Sequence, residues 1–311
     1  VTVDTTWEAP REPSGPGFSD AVTFAFGDAE AQVYGVARVG LSADPETGAT
    51  TASGLALLFA DGGPVAVRAD GGLAVDAPGW ADVDAAGVTT TIDEPLREWT
   101  VLFADEAGAN GFDLRFRALA PPAELTADDP VARTGGMTGY ESFCRVTGTA
   151  TIAGVDRPID ARGQRGHSWG APDWDKLTVA RTITAWLDDD LAVSIVAVRD
   201  TKAKAHDAEA VAAFLIEPPA GTDDDPGHAA ANVPVAVGEP LVSTTYDGDG
   251  RQRAAGLELY VTDESPARRA AGEAVCGTTL DLGRLRLDCA FFRWRMEGRE
   301  GIGRYDVLRR T

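Results

Sequence analysis

"GFDLRFRALA" (111–120) alternates without a break. Phe112, Leu114, Phe116 and Ala118 point one way, while Asp113, Arg115 and Arg117 point the other. A period of two, with one apolar and one charged face, is the signature of a half-buried β-strand. The same pattern recurs upstream at 21–27, 31–41, 50–60, 63–69, 88–92 and 98–104. It recurs downstream at 140–152, 177–188, 191–200, 211–218, 241–247, 255–263, 277–282, 284–296 and 302–310. Turn signals such as "DGG" (61–63 and 70–72) and "EAGANG" (106–111) separate the segments. Helical periodicity is scarce, with room for one short helix in "ESPARRAAGEAVC" (264–276). The chain is therefore expected to be all-β.

The alternation lapses once. "PPAELTADDPVARTGG" (121–136) is rich in Pro, Asp and Ala and has no period, which reads as a crossing between domains with one helical turn. Two runs of seven or more strands then predict two β-barrels or sandwiches in tandem. The first takes residues 1–122, the linker 123–136 and the second 137–311.

The 311 residues carry a net charge of −21, and only three of the cations are lysines (Lys176, Lys202, Lys204). Nucleic acid and anionic membrane surfaces require a basic patch and are excluded as partners. No run approaches the ~18 apolar residues of a membrane span. The sequence starts Val1-Thr2-Val3-Asp4 with no basic-then-apolar leader, and the expected location is the cytoplasm. Oligomeric state is not legible.

Three cysteines, Cys144, Cys276 and Cys289, point to reduced thiols and no disulfide framework. A two-residue turn at Leu282-Gly283 would set Asp281 against Arg284 and Cys276 against Cys289, bonded or not. No metal is expected. His167, His206 and His228 are far apart in sequence, and no Cys-x-x-Cys occurs. "YDGDGRQRAAGLE" (246–258) puts Asp247, Asp249 and Glu258 at calcium-loop positions, but Arg251 and Gln252 sit where a ligand oxygen and a glycine are needed. No cofactor is indicated either. There is no Gly-rich strand-to-helix loop and no G-x-S-x-G elbow.

"RGQRGHSWGAPDW" (162–174) stands apart, with a histidine, two tryptophans and two arginines broken up by three glycines. If it stays extended, Arg165, His167 and Trp169 share one face, and Asp173, Trp174 and Asp175 follow at the strand's mouth. Two readings remain open. The trio converges on a bound molecule, or Arg165 and His167 clamp acidic partners and brace a junction with Trp169 as core.

"YESFCRVTGTATIAGVDRPIDARGQRGHSWGAPDW" (140–174) resembles the signature of the two-domain lipocalin-like (calycin) family that includes hydroxyneurosporene synthase (carotenoid 1,2-hydratase) and AttH-like proteins. The matching positions are Tyr140, Glu141, Gly148, Gly154, Arg165, His167, Ser168, Trp169, Gly170, Asp173 and Trp174. "PLREWTVLF" with "GFDLRFRALAP" (95–121) and "MEGREGIGRYDV" (296–307) fit the ends of the family's two domains. The resemblance implies two lipocalin-like barrels, an apolar pocket, and chemistry on long isoprenoid or polyketide chains. The Tyr-x-Asp thought to serve the hydratases on a following strand has no counterpart in "LAVSIVAVRD" (191–200).

Two classes of function follow. One is a cofactor-free lyase or isomerase that hydrates or cyclises an isoprenoid-like apolar substrate. Protonating an alkene requires a held acid, a dry site and π faces against the developing charge. His167, partnered with Asp173 or Glu141, would supply the proton. Trp169 and Trp174 would supply the π faces. Arg165 would meet a carboxylate, and Tyr140, Phe292 and Trp294 would line the substrate. The other class is a non-catalytic carrier of a hydrophobic small molecule, with the motif structural and Phe292, Trp294 and Met296 as core.

Overall fold

The computed structural model describes residues 3–44, 47–75, 79–204, 209–218 and 232–311. His206 and His228 lie outside the described residues. Strand accounts for 67% of the described residues and helix for 5%. A 3-10 turn, Thr5–Glu8, precedes β1 (Ser19–Asp28), β2 (Val33–Ala43), β3 (Thr50–Ala60) and β4 (Gly63–Ala74). A second, Trp80–Asp82, leads to β5 (Val88–Glu94), β6 (Glu98–Ala104), β7 (Gly111–Ala118), β8 (Ala123–Leu125) and the one-turn helix α1 (Pro130–Gly135). The long hairpin β9 (Met137–Ile152) and β10 (Val155–Gly170) follows. Then come β11 (Leu177–Asp188), β12 (Leu191–Asp200), β13 (Ala210–Glu217), β14 (Val233–Ala236), β15 (Glu239–Tyr246), β16 (Gln252–Tyr260), β17 (Arg268–Asp281), β18 (Leu285–Met296) and β19 (Arg299–Arg310).

The strands form two curled antiparallel sheets, one in each of two compact units. The first runs β4-β3-β2-β1-β10-β9-β7-β6-β5, with β8 against β9. The second runs β14-β13-β12-β11-β19-β18-β17-β16-β15. Each unit starts at the middle of its sheet and winds out to one edge. It then crosses to the far edge and winds back to pair with its own first strand. The two units thus repeat one topology. Among the described residues no ladder joins β4 to β5 or β14 to β15, so each sheet is a half-barrel open along one side.

Alternation sets the cores. In β7, Phe112, Leu114 and Phe116 are buried while Asp113, Arg115 and Arg117 are exposed. The concave face of the first sheet collects Phe24, Phe26, Trp99, Phe103, Phe112 and Phe116 into one cluster. The second sheet gathers Ile183, Leu257, Phe292, Trp294, Tyr305 and Val307.

Three expectations are corrected. The aperiodic 121–136 segment does not divide the domains. Beyond it the chain returns to the first sheet, where β9 pairs with β7 (Phe116 opposite Val146) and β10 with β1 (Val22 opposite His167). The division falls after the motif. The first unit holds Val1–Ala118, Glu124–Ala127 and Gly136–Asp173, and the second holds the remainder. The helix expected at 264–276 is instead most of β17, since "ARRAAGEAVC" alternates between outward and buried positions well enough to pair on both sides. The β17–β18 turn is centred on Gly283 and Arg284 rather than on Leu282 and Gly283, with Gly283 at φ +76° and Leu282 N–H donating to the Leu285 carbonyl. Asp281 therefore meets Arg286, Cys276 meets Phe291, and Cys289 meets Thr278. The two cysteines are diagonal neighbours rather than directly opposed. All three thiols are free and buried.

Candidate functional site

Because β10 stays extended through Gly170, Arg165, His167 and Trp169 fall on one face, the concave one. Two neighbours complete the row. Tyr140 of β9 is directly opposite His167, and Asp20 of β1 is directly opposite Trp169, which makes it diagonal to the imidazole. Asp20 reaches across, and its Oδ1 lies 2.7 Å from His167 Nε2. Its Oδ2 accepts the Arg11 backbone N–H at 2.6 Å. The His167 and Asp20 side chains are 0% and 1% exposed. The other ring nitrogen, Nδ1, is buried and has no hydrogen-bond partner among the described residues. Trp80, Tyr140 and Trp169 surround the imidazole with centroids at 5.4, 5.6 and 5.0 Å, each at a steep interplanar angle.

Arg165 is held from the other end of the chain. The first 3-10 turn, capped by Asp4 onto Thr6 N–H, carries Glu8 to the mouth of the half-barrel. Arg165 donates Nη1 to Glu8 Oε1 at 2.9 Å and Nη2 to Glu8 Oε2 at 2.7 Å, with a further bond from Nη2 to the Tyr140 hydroxyl at 3.0 Å. Its guanidinium stacks over Trp99 at 4.0 Å. Glu8 also accepts the Leu96 N–H, and its carbonyl accepts the Trp80 indole N–H. One buried residue thereby gathers β10 and the loop before β6 through its carboxylate and the loop after β4 through its carbonyl. Burial pushes the Tyr140 hydroxyl well above the usual tyrosine range, against the pull of Arg165, so it stays protonated as a donor or acceptor. Trp7 packs edge-on to Trp169 at 5.4 Å, and the Arg11 guanidinium lies over the Trp169 ring at 4.3 Å.

The structure brings four of the expected residues together, Tyr140, Arg165, His167 and Trp169. It separates the others. Asp20, not Asp173, partners the imidazole, because Asp173 lies beyond the end of β10 and is exposed. Glu141 is opposite Gly166 and so faces away from His167. Trp174 is the first residue of the second unit's long segment and is half-buried. Phe292 and Trp294 are fully buried in the second unit's core, stacked at 5.5 Å with Tyr305 beside them, which is packing. Sequence reading missed Glu8, Asp20, Trp80 and Trp99. Asp20 carried a signal, as an acid on the inward parity of "SDAVTFAFGD" with Val22, Phe24 and Phe26.

Two open grooves lie elsewhere. One of about 780 Å³ runs over Thr100, Asp113, Arg115, Thr147 and Thr149, and one of about 530 Å³ over Leu241, Gly256, Arg269, Ala271 and Met296. Neither is lined by a residue of the 162–174 stretch. Among the described residues no group of three or more His, Cys, Asp and Glu side chains could hold a metal ion. The acidic 246–258 turn is closed on itself, with Arg251 paired to Asp247 and Asp249. Among the described residues no helix is long and apolar enough to cross a membrane.

The family described as a domain of unknown function, DUF7064, matches residues 4–310. The chain is a DUF7064 protein. No curated protein sequence matches it. Solved structures share its fold at low identity. An AttH protein of Nitrosomonas europaea is 13% identical with a TM-score of 0.68, over 100% of this chain and 98% of that one. CghA, solved with Sch210972, is 14% identical with a TM-score of 0.60, over 95% and 89%. Kievitone hydratase of Nectria haematococca is 13% identical with a TM-score of 0.56, over 96% and 91%. The DUF7064 chain thus has the two-domain lipocalin-like fold that its motif implied.

Proposed function

We propose that the protein is a cofactor-free enzyme of the lyase or isomerase kind that acts on an apolar, isoprenoid-like small molecule. One observation carries the reading. His167 has one ring nitrogen fixed by a buried carboxylate and the other buried, unpartnered and ringed by Trp80, Tyr140 and Trp169. Asp20 orients the ring through Nε2. The protonated imidazole gives its Nδ1 proton to an alkene carbon. The resulting cation is captured by water, for hydration, or by a second alkene, for cyclisation, and a proton returns to Nδ1. The aromatic rings favour positive charge over bulk water. A neighbour in fold that is named a hydratase is compatible with this chemistry, although fold alone does not assign it.

A second reading has its own support. Arg165 and His167 are each already matched to a buried carboxylate, Glu8 and Asp20, as in a structural clasp. In that case the protein carries an apolar molecule without converting it. Incubation with C10, C15 and C40 isoprenoid alkenes in D2O, read by mass spectrometry, separates the two. The enzyme reading expects deuterium in the product, lost in His167→Ala and Asp20→Asn. Absence of deuterium across the panel, or incorporation unchanged in His167→Ala, sinks it.

A further inference from the structure

The sequence assigned Arg165 to a carboxylate on a bound molecule, but Glu8 already fills that fork. The guanidinium left unfilled at this end of the sheet is Arg11. Its Cζ lies 4.3 Å from the Trp169 ring centre and 5.0 Å from that of Trp7. Its Nε and Nη2 are shielded from water and have no hydrogen-bond partner. Asp4 senses the Arg11 charge, but the Asp4 carboxylate bonds to Thr6 instead. With 49 acidic residues against 28 basic ones, carboxylates are plentiful in this chain, yet among the described residues none is bonded to Nε or Nη2. Desolvated donors without acceptors cost the free protein stability, and a matching ligand returns it. Contact with two indoles fixes the plane of the guanidinium, and a fixed planar fork with empty N–H groups is the geometry that takes a carboxylate side-on. The position is tied to the reacting group as well. Asp20 holds the Arg11 backbone with one oxygen and the His167 ring with the other.

We infer that Arg11 anchors a carboxylate on the molecule this site takes, so that the substrate class is an apolar chain bearing a carboxylic acid. The inference rests on the reading that the site takes an apolar molecule. The acid group seats on Nε and Nη2 once the side chains that shield them from water move aside, and the apolar chain runs past Trp169 toward His167. Specificity then comes from the charge match, because an alcohol of the same skeleton leaves the guanidinium unfilled.

The test compares oleate with oleyl alcohol as probes, below their aggregation limits, by calorimetry and by quenching of tryptophan fluorescence. The unaltered chain is expected to prefer the acid by about 10–100-fold, the worth of a charge-assisted pair. Arg11→Gln is expected to bring oleate down to the alcohol's affinity and leave the alcohol unchanged. Arg11→Lys keeps the charge without the fork and is expected to fall between the two, and it decides the matter if Arg11→Gln does not fold. Arg117→Gln, on the wet face of β7, controls for general charge and is expected to change nothing. Equal affinity for acid and alcohol, or a preference that survives in Arg11→Gln, overturns the Arg11 assignment and leaves the apolar-molecule reading standing. Binding of neither probe overturns both.

Discussion

Replacing Glu8 by alanine should unfold the first unit more readily than any other single carboxylate change near the motif. The Arg165 and Glu8 side chains are 2% and 4% exposed, joined by two bonds of 2.9 and 2.7 Å. Glu8→Ala leaves a buried guanidinium with only the Tyr140 hydroxyl and the Trp99 face, and it also orphans the Leu96 N–H. Removing one partner of such a pair costs about 3–5 kcal/mol. For a domain of this size each kcal/mol lowers the melting temperature by about 2–4 °C, so a drop of roughly 6–20 °C is expected. Glu8→Gln keeps an acceptor for Leu96 and for one Arg165 N–H, and should lose about 1–3 kcal/mol. The double change Glu8→Leu with Arg165→Met removes both charges together and should recover most of the loss, because a buried ion pair is often replaceable by apolar residues of similar volume. Thermal melts by near-ultraviolet circular dichroism on the parent, Glu8→Leu, Arg165→Met and the double variant complete the cycle, with Glu8→Ala and Glu8→Gln measured alongside. A Glu8→Ala protein melting within 1 °C of the parent, or a double variant as damaged as the two single losses combined, would refute the claim that this pair ties the N-terminal turn to β10.

Other outcomes follow from the same packing. Gly163→Ala would drive a methyl group into the Ala25 carbonyl of β1 and should cost about 1–3 kcal/mol by denaturant titration while loosening the Asp20–His167 contact. Burial pushes the Cys144 and Cys276 thiols up to about 12 from an ordinary value near 9. Native protein at pH 8 should therefore leave a thiol reagent unreacted, and unfolded protein should titrate three thiols. Since the unfolded thiols ionise near pH 9 and the folded ones near 12, the folded state is fully favoured below pH 9 and loses stability as pH rises from 9 toward 12. Cys144→Ala should flatten that alkaline decline in urea titrations across pH 8–11. Asp20→Asn should abolish turnover by removing the carboxylate that holds His167 Nε2, a loss read as product formed per enzyme, while secondary structure by circular dichroism stays unchanged.

Much of the strand content was legible, and the reason is local. β3, β6, β11 and β12 end where the sequence segments 50–60, 98–104, 177–188 and 191–200 end, because alternation and turn residues act within a few positions. The shared face of Arg165, His167 and Trp169 follows from the same period of two. Which sheet the 137–170 hairpin joins is a long-range matter. Alternation tells a strand which side to bury but not against which partner, and the aperiodic 121–136 stretch looked like a boundary although the chain crosses back after it. The partner of His167 was misassigned for the same reason. Asp173 is near in sequence, but Asp20 is the neighbour that the β1–β10 ladder supplies. Glu8 is 157 residues from Arg165 and no pattern in the chain links them. The cysteine register failed because the turn is centred one residue later, on Gly283 and Arg284 with Leu282 facing Leu285, which moves every partner by two positions.

The most direct measurement is a crystal structure of the protein with an apolar carboxylic acid bound, or with whatever apolar molecule accompanies it through purification. The account predicts ligand density in contact with His167 Nδ1 and bordered by Trp80, Tyr140 and Trp169, with Asp20 still on Nε2. Density confined to either open groove, or an Nδ1 bonded to a protein group in the liganded state, would contradict it.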